Sequence, residues 1–390
     1  MSQFNRDIED LYYASYVKQN TFDIAEWMSL FQMEGKSSGL AFNKVSFMTR
    51  DLQWGKQHYG AFEMAMKRFD QKWQGSLSCS VAKGAFIFPV NRKVKDKIKL
   101  EMAYVNFSEL MKINFQGRGV SSEEVPLIDV FSEQLFWNGA DLGSLDISTE
   151  RIVKGIRFKK IHIMAKDHKI KMSADWIKQD KGSLTSFHGA LSAEDIGTLL
   201  MKVGMANDLK DANASIEISG QWPKSPYQFS LEAVTAEIDL ELKGGRISSI
   251  EPGIGRILGF IAMEQWLKRL TLNFGDLYKE GLSFNTITGW FKVRQGKVTT
   301  KDLLVDAIPA RIKIAGEADL VTETLDYSIS VVPKSSGAVP IAGTIVSRIA
   351  GTITQALTSD YKEGYFFGSK YQVTGKWDNM KVTAMHEQDG

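Results

Sequence analysis

Runs in which apolar and polar side chains alternate residue by residue dominate this chain. A period of two puts the apolar set on one face of a sheet and the polar set on the other. In residues 169–176, Ile170, Met172, Ala174 and Trp176 oppose Lys169, Lys171, Ser173 and Asp175. Residues 212–222 repeat the pattern through Ala214, Ile216, Ile218, Gly220 and Trp222. Tyr227, Phe229 and Leu231, then Val234, Ala236, Ile238, Leu240 and Leu242, prolong the apolar face with a phase change near Ala233, read as a bulge or bend. Similar alternation marks 98–104, 282–293, 310–316, 325–331 and 371–377. Lys243-Gly244-Gly245, Gln295-Gly296 and the turn at 179–182 suit hairpins.

Helical periodicity is confined to 22–31, 193–203, 254–270 and 340–357, too little to cover so many strands. A sheet with one apolar face must bury it against another sheet, against helices, or against something the chain does not encode. With 390 residues and 43% hydrophobic content there is chain enough for a substantial core, so disorder is excluded. A net charge of +2 gives no general reason to expect nucleic acid. Cys79 is the single cysteine and allows no internal disulfide. The least charged stretch, between Lys334 and Asp360, is interrupted only by Arg348 and is too rich in Gly, Ser and Thr for a membrane span. The amino terminus carries no secretion signal, which means a cytosolic chain or one whose true beginning lies further upstream.

A weak repeat relates Leu52-Gln53-Trp54-Gly55, with Gly60, to Leu135-Phe136-Trp137 with Gly139 and Gly143, about 83 residues on. Catalytic signals are poor. Gly253, Gly255 and Gly259, after Pro252 and beside Arg256, imitate a dinucleotide-binding turn, but the flanking strands are half polar and hairpin-like rather than continuously apolar. A structural turn is the better reading of Pro252, Gly253, Gly255 and Arg256. The five histidines show no metal-ligand spacing, so no cofactor and no metal is expected. Ten basic residues against three acids in 151–181 read first as aggregation-resistant strand lysines and second as a lipid-headgroup contact. In 340–357, Ile341, Ile345, Ile349 and Ile353 recur every fourth residue, on a helix that either docks on a membrane or caps the sheet.

The run from Gly245 resembles the carboxy-terminal part of YhdP-like proteins of the AsmA-like superfamily. The resemblance rests on 250–259, Lys268-Arg269-Leu270 with Asn273-Phe274, Gly281-Leu282-Ser283-Phe284, Val331-Val332-Pro333, and Tyr371 through Gly375-Lys376-Trp377. Upstream, Leu135-Phe136-Trp137, Asp195-Ile196-Gly197 and Gln221-Trp222-Pro223 are also similar to the family. Asn273 and Asn285 depart from it, standing where acids are expected.

The resemblance implies a mainly β fold: a long, curled and twisted antiparallel sheet forming an apolar groove, with a few helices near the C-terminal end. It implies a β-groove segment over 1–240, with a short N-terminal helix, and an AsmA-like region with capping or membrane-docking helices over 241–390. It further implies a periplasmic, non-enzymatic phospholipid conduit between inner and outer membranes, part of a longer chain anchored in the inner membrane. Phospholipid acyl chains and the inner leaflet of the outer membrane are the expected partners, and nucleic acid is not. Ile170, Met172, Trp176, Ile216, Ile218, Phe229, Leu231, Ile238 and Leu240 are the expected groove residues. A nucleotide-dependent enzyme and a structural periplasmic spacer are the alternatives.

Overall fold

The computed structural model describes residues 13–23, 42–54, 57–89, 97–111, 121–205, 209–247, 282–308, 310–334, 369–377 and 379–385. It is mainly β, as the alternation predicts, and it divides into two compact units.

The first unit covers residues 1–166 and 171–184. Its strands are β1 (Tyr13–Asp23), β2 (Phe42–Trp54), β3 (Gln57–His58), β4 (Phe62–Phe69), β5 (Lys72–Ser78), β6 (Ala82–Pro89), β7 (Lys97–Asn106), β8 (Leu127–Trp137), β9 (Ala140–Asp141), β10 (Ser144–Ile152) and β11 (Gly155–Met164), with the short helix α1 (Phe107–Met111) after β7. Strand β12 (His168–Lys178) contributes residues from Lys171 onward. Neighbours β2, β4, β5, β6 and β7 pair antiparallel, as do β8, β10 and β11. Pairs β1–β2 and β7–β8 are parallel, so the sheet is mixed rather than purely antiparallel. A parallel neighbour cannot be reached through a tight hairpin, because the chain must first return to the end at which the preceding strand began.

The repeat seen in the sequence is structural. Leu52 N–H donates to Gly60 O (2.7 Å) and its carbonyl accepts from Tyr59 N–H (2.8 Å). Leu135 makes the same two bonds, from its N–H to Gly143 O (2.7 Å) and to its carbonyl from Leu142 N–H (2.8 Å). Each corner follows a strand that is parallel to its predecessor, β2 or β8, and turns into an antiparallel one, β4 or β10. In the second corner Asn138 (φ 47°) and Gly139 (φ 81°) take left-handed backbone, which Asn and Gly tolerate best.

The second unit covers 167–170 and 185–390. It holds β13 (Ser183–Ala193), β14 (Leu209–Lys210), β15 (Asn213–Trp222), β16 (Thr235–Lys243), β17 (Arg246–Ile247), β18 (Leu282–Arg294), β19 (Lys297–Ala307), β20 (Ala310–Asp319), β21 (Thr324–Pro333), β22 (Ser369–Lys376) and β23 (Asn379–Met385), plus α2 (Ile196–Lys202). Strands β13, β15, β16 and β18 to β23 form an antiparallel meander, each paired with the next.

Helix α2 lies inside the expected 193–203 window and begins at Asp195. That carboxylate accepts from Gly197 N–H (3.0 Å) and Thr198 Oγ1 (2.6 Å), satisfying groups a helix start leaves unpaired. Gly197 is required by close approach, because a Cβ there would overlap the Leu209 carbonyl oxygen. In the last turn, Lys202 Nζ lies 3.0 Å from Asp167, whose other oxygen meets Nδ1 of the buried His168 at 2.8 Å. These contacts hold the Asp167 carboxyl down at about 2, chiefly through the Lys202 hydrogen bond.

Two expectations need correction. Phe22 and Asp23 end strand β1 instead of starting a helix, and the rest of 22–31 lies outside the described residues. Phe229 and Leu231 do not continue a strand: Pro226–Gln228 form a 3-10 turn, and both residues sit in the β15–β16 loop, 53% and 41% exposed. Pro223 and Pro226 lack the N–H a ladder needs, and Trp222 Nε1 donates to Ser225 O (2.9 Å), folding the loop back.

Candidate functional site

Register carries one apolar row straight across the first unit. Val45, Met66, Gly75, Phe86, Leu100, Val130, Ile147 and Ile161 are successive strand partners, from β2 to β11. One residue over, on the opposite face, the row reads Lys44, Lys67, Gln74, Ile87, Lys99, Asp129, Ser148 and Lys160. The two faces thus differ in chemistry across seven strand boundaries, with Ile87 the one apolar member of the polar row. Phe86 and Val130 are buried, while Val45, Met66, Leu100, Ile147 and Ile161 are only half-buried, so hydrocarbon on this face remains partly open. Aromatic rings thicken the face at β5 and β6, with Trp73 stacked on Phe88 (6.5 Å) and Phe88 on Phe86 (5.7 Å).

In the second unit the corresponding row runs Gly189, Ile218, Ile238, Phe291, Thr300, Gly316, Tyr327, Val373 and Val382. Ile216 faces Leu240 and Ile218 faces Ile238, so four of the expected groove residues form one half-buried patch on β15 and β16. Beyond β16 the same face closes: Phe291 is 1% exposed, Ile314 1%, Ile329 0% and Val373 0%. The apolar surface therefore changes from open to sealed within one meander.

The remaining expected groove residues separate. Ile170 and Met172 are half-buried on β12. Trp176 is 4% exposed and packs with Leu127 and Ile156, with Val125 and Phe158 against them, so it is core. Phe229 stands edge-on to Trp222 (5.3 Å), which in turn touches Phe187 (5.8 Å), so it extends an aromatic ladder past the strand end. Ile341, Ile345, Ile349 and Ile353, and the turn of Pro252, Gly253, Gly255, Arg256 and Gly259, lie outside the described residues.

The polar face is held by charge pairing. Arg157 grips Asp175 through Nε and Nη2 (2.7 and 2.8 Å), and Lys160 pairs with Asp146. Lys178 meets Glu123 at 2.7 Å, and Arg151 Nη1 donates to Ser122 O (2.6 Å). Lys97 and Ser148 both donate to Asp129 (2.8 and 2.6 Å); burial raises the Asp129 pKa, but these bonds outweigh it and the net shift is downward. Much of the basic stretch is therefore structural strand pairing. The first unit's row, from Val45 to Ile161, was not among the expected groove residues, although Phe62-Glu63-Met64-Ala65-Met66-Lys67 displays the same alternation.

Among the described residues no cluster of three or more His, Cys, Asp or Glu is placed to hold a metal. No described helix is long and apolar enough to cross a membrane.

Comparison with known proteins decides the family. The family model described as YhdP protein matches residues 12–382. The chain belongs to the YhdP family. One curated YhdP relative, the intermembrane phospholipid transporter YhdP of Escherichia coli (strain K12), is 24% identical over 218 residues, covering 55% of this chain and 17% of that protein. The present YhdP chain thus matches a minor part of that relative's length. No solved structure matches it.

Proposed function

We propose that this chain is a non-enzymatic segment of a phospholipid conduit in the cell envelope, carrying acyl chains on the half-buried apolar face of its sheet. Phospholipid transport is the activity named for the E. coli relative. The observation that carries the reading here is the registered row from Val45 to Ile161, apolar apart from Gly75, backed on the other face by a row that is polar apart from Ile87. A sixteen-carbon chain leaving a bilayer forfeits about 12 kcal/mol of burial, at about 0.8 kcal/mol per methylene. A row that crosses strand after strand offers replacement contacts at each step, where a lone pocket would trap the chain.

In this reading Ile216, Ile218, Ile238 and Leu240 line the track in the second unit, Ile170 and Met172 line it on β12, and Phe229 and Leu231 edge it from the β15–β16 loop. Trp176 supports the sheet from within. The periplasm is the compartment this function requires, with the outer-membrane inner leaflet and the remainder of an inner-membrane-anchored chain as partners.

Mass spectrometry of lipid released from the purified chain tests the proposal. Recovery of diacyl phospholipid supports it, and a lipid-free chain that also fails to take up phospholipid from vesicles refutes it. A structural spacer draws support from one observation, the sealed face at Phe291, Ile314 and Ile329; it predicts the lipid-free result.

A further inference from the structure

The loop between β15 and β16 presents hydrocarbon to solvent. Tyr227, Phe229 and Leu231 are 49%, 53% and 41% exposed and fall within five residues. From Ser225 to Leu231 the loop carries no charge, its only charged residues being Lys224 and Glu232. Its backbone is fixed at both ends. Trp222 Nε1 donates to Ser225 O (2.9 Å), the Thr185 hydroxyl to Lys224 O (2.8 Å) and the Ser225 hydroxyl to Gln228 Oε1 (2.7 Å). The N–H groups of Ala233 and Val234 both donate to Ser230 O (3.2 Å each). The three side chains are thus displayed on a built scaffold, with little left to order when they meet a partner. The loop also joins the apolar face. Ile218, Gly220 and Trp222 alternate onto one side of β15. On that side a Cβ at Gly220 would meet the ring of its register partner Phe187; Phe187 touches Trp222, and Phe229 touches Trp222 from beyond the strand end. The pairs Thr235–Arg294, Arg294–Lys297 and Lys297–Asp319 put the next two turns at the same end, where Val321 lies over Gly296 and is 49% exposed.

We propose that this loop docks on a phospholipid bilayer, with Phe229 and Leu231 entering the acyl layer and Tyr227 at the headgroup boundary. An uncharged tip gives up no ion's hydration on insertion, and Phe, Leu and Tyr are side chains that gain from a boundary with one oily and one wet side. An anchor of this kind needs no anionic lipid, unlike attachment through lysines. The ring row from Phe187 to Phe229 sets the Ile218–Ile238 patch beside the bilayer, so a tail leaving the membrane meets apolar side chains from its first step. The proposal rests on the conduit reading and adds to it the place where lipid crosses between bilayer and sheet.

Flotation of the full chain with phosphatidylcholine vesicles, at low and high salt, tests it. Wild type is expected to float in both. Leu231→Ser and Phe229→Ser are each expected to weaken partitioning several-fold, and the pair about tenfold or more, the scale of the apolar contact removed. Phe69→Ser, in the first unit and comparably exposed at 50%, is expected to change nothing. Circular dichroism of the variants is expected to match wild type, and Leu231→Ser keeps the test decisive should Phe229→Ser unsettle the Trp222 ring. Loop variants that float like wild type, a Phe69→Ser loss as large as theirs, or detachment of wild type in high salt overturn the docking loop. Vesicle-free oligomers that Leu231→Ser disperses overturn it too, in favour of a second copy of the chain as the occupant. Lipid content separates the docking from the conduit. Wild type that carries diacyl phospholipid but does not float overturns the docking alone, and wild type that floats yet neither holds nor takes up phospholipid refutes the conduit alone.

Discussion

Ile218 on β15 and Ile238 on β16 are direct register partners, both half-buried, and the next residue along their row, Phe291 on β18, is 1% exposed. Open hydrocarbon and sealed core are therefore adjacent on one face. This contrast separates a carrying surface from a packing surface. Ile218→Glu is expected to cost only about 1–2 kcal/mol of stability, because the site is half-open, yet to lower bound phospholipid several-fold. Phe291→Ala is expected to cost about 3–5 kcal/mol. Urea unfolding together with quantified released lipid checks both, and equal lipid loss per kcal/mol for the two variants contradicts the distinction.

Trp176 gives a complementary case. Buried with Leu127 and Ile156, it is expected to behave as core: Trp176→Phe costs about 1–3 kcal/mol in urea unfolding and leaves bound lipid unchanged in the folded fraction.

At Gly197 the usual sign of a helix substitution reverses. Replacing glycine by alanine inside a helix ordinarily gains about 1 kcal/mol. Here the added methyl meets the Leu209 carbonyl, so Gly197→Ala is expected to destabilise α2 and lower the thermal midpoint, with hydrogen exchange accelerating first at residues 196–203. A raised midpoint would show that α2 is not held against β14.

Asp167 sets an acid limit. Its carboxyl is depressed to about 2 in the folded chain from an ordinary value of 3.8, so its contribution is complete above about pH 4 and fades as the pH falls toward 2. Asp167→Asn is expected to weaken the chain at pH 7 and to leave a flatter dependence of the urea midpoint between pH 4 and 2. Because the Asp167 side chain is 40% exposed, added salt is expected to shrink the difference.

How much of this was legible in sequence depends on the range of each interaction. Strands β7, β12, β15, β16, β18, β20, β21 and β22 announce themselves because alternation is local, and the corners at Leu52 and Leu135 repeat because turn chemistry is local too. Strand direction is not local, so the parallel pairs β1–β2 and β7–β8 leave no trace in periodicity. Phe229 and Leu231 kept the rhythm of a strand while Pro226 and the Trp222–Ser225 bond took the backbone elsewhere. Burial is the least local quantity of all: Ile218 and Ile329 look alike in sequence, yet one is half-open and the other fully enclosed.

The most direct measurement places a photocrosslinking residue on each face of one strand, at Met66 and Lys67 on β4 and at Ile218 and Glu217 on β15, in chain loaded with phospholipid vesicles. Phospholipid adducts at 66 and 218, with background levels at 67 and 217, are the predicted result. Adducts spread evenly over both faces, or absent from 66 and 218, contradict an acyl track on this sheet.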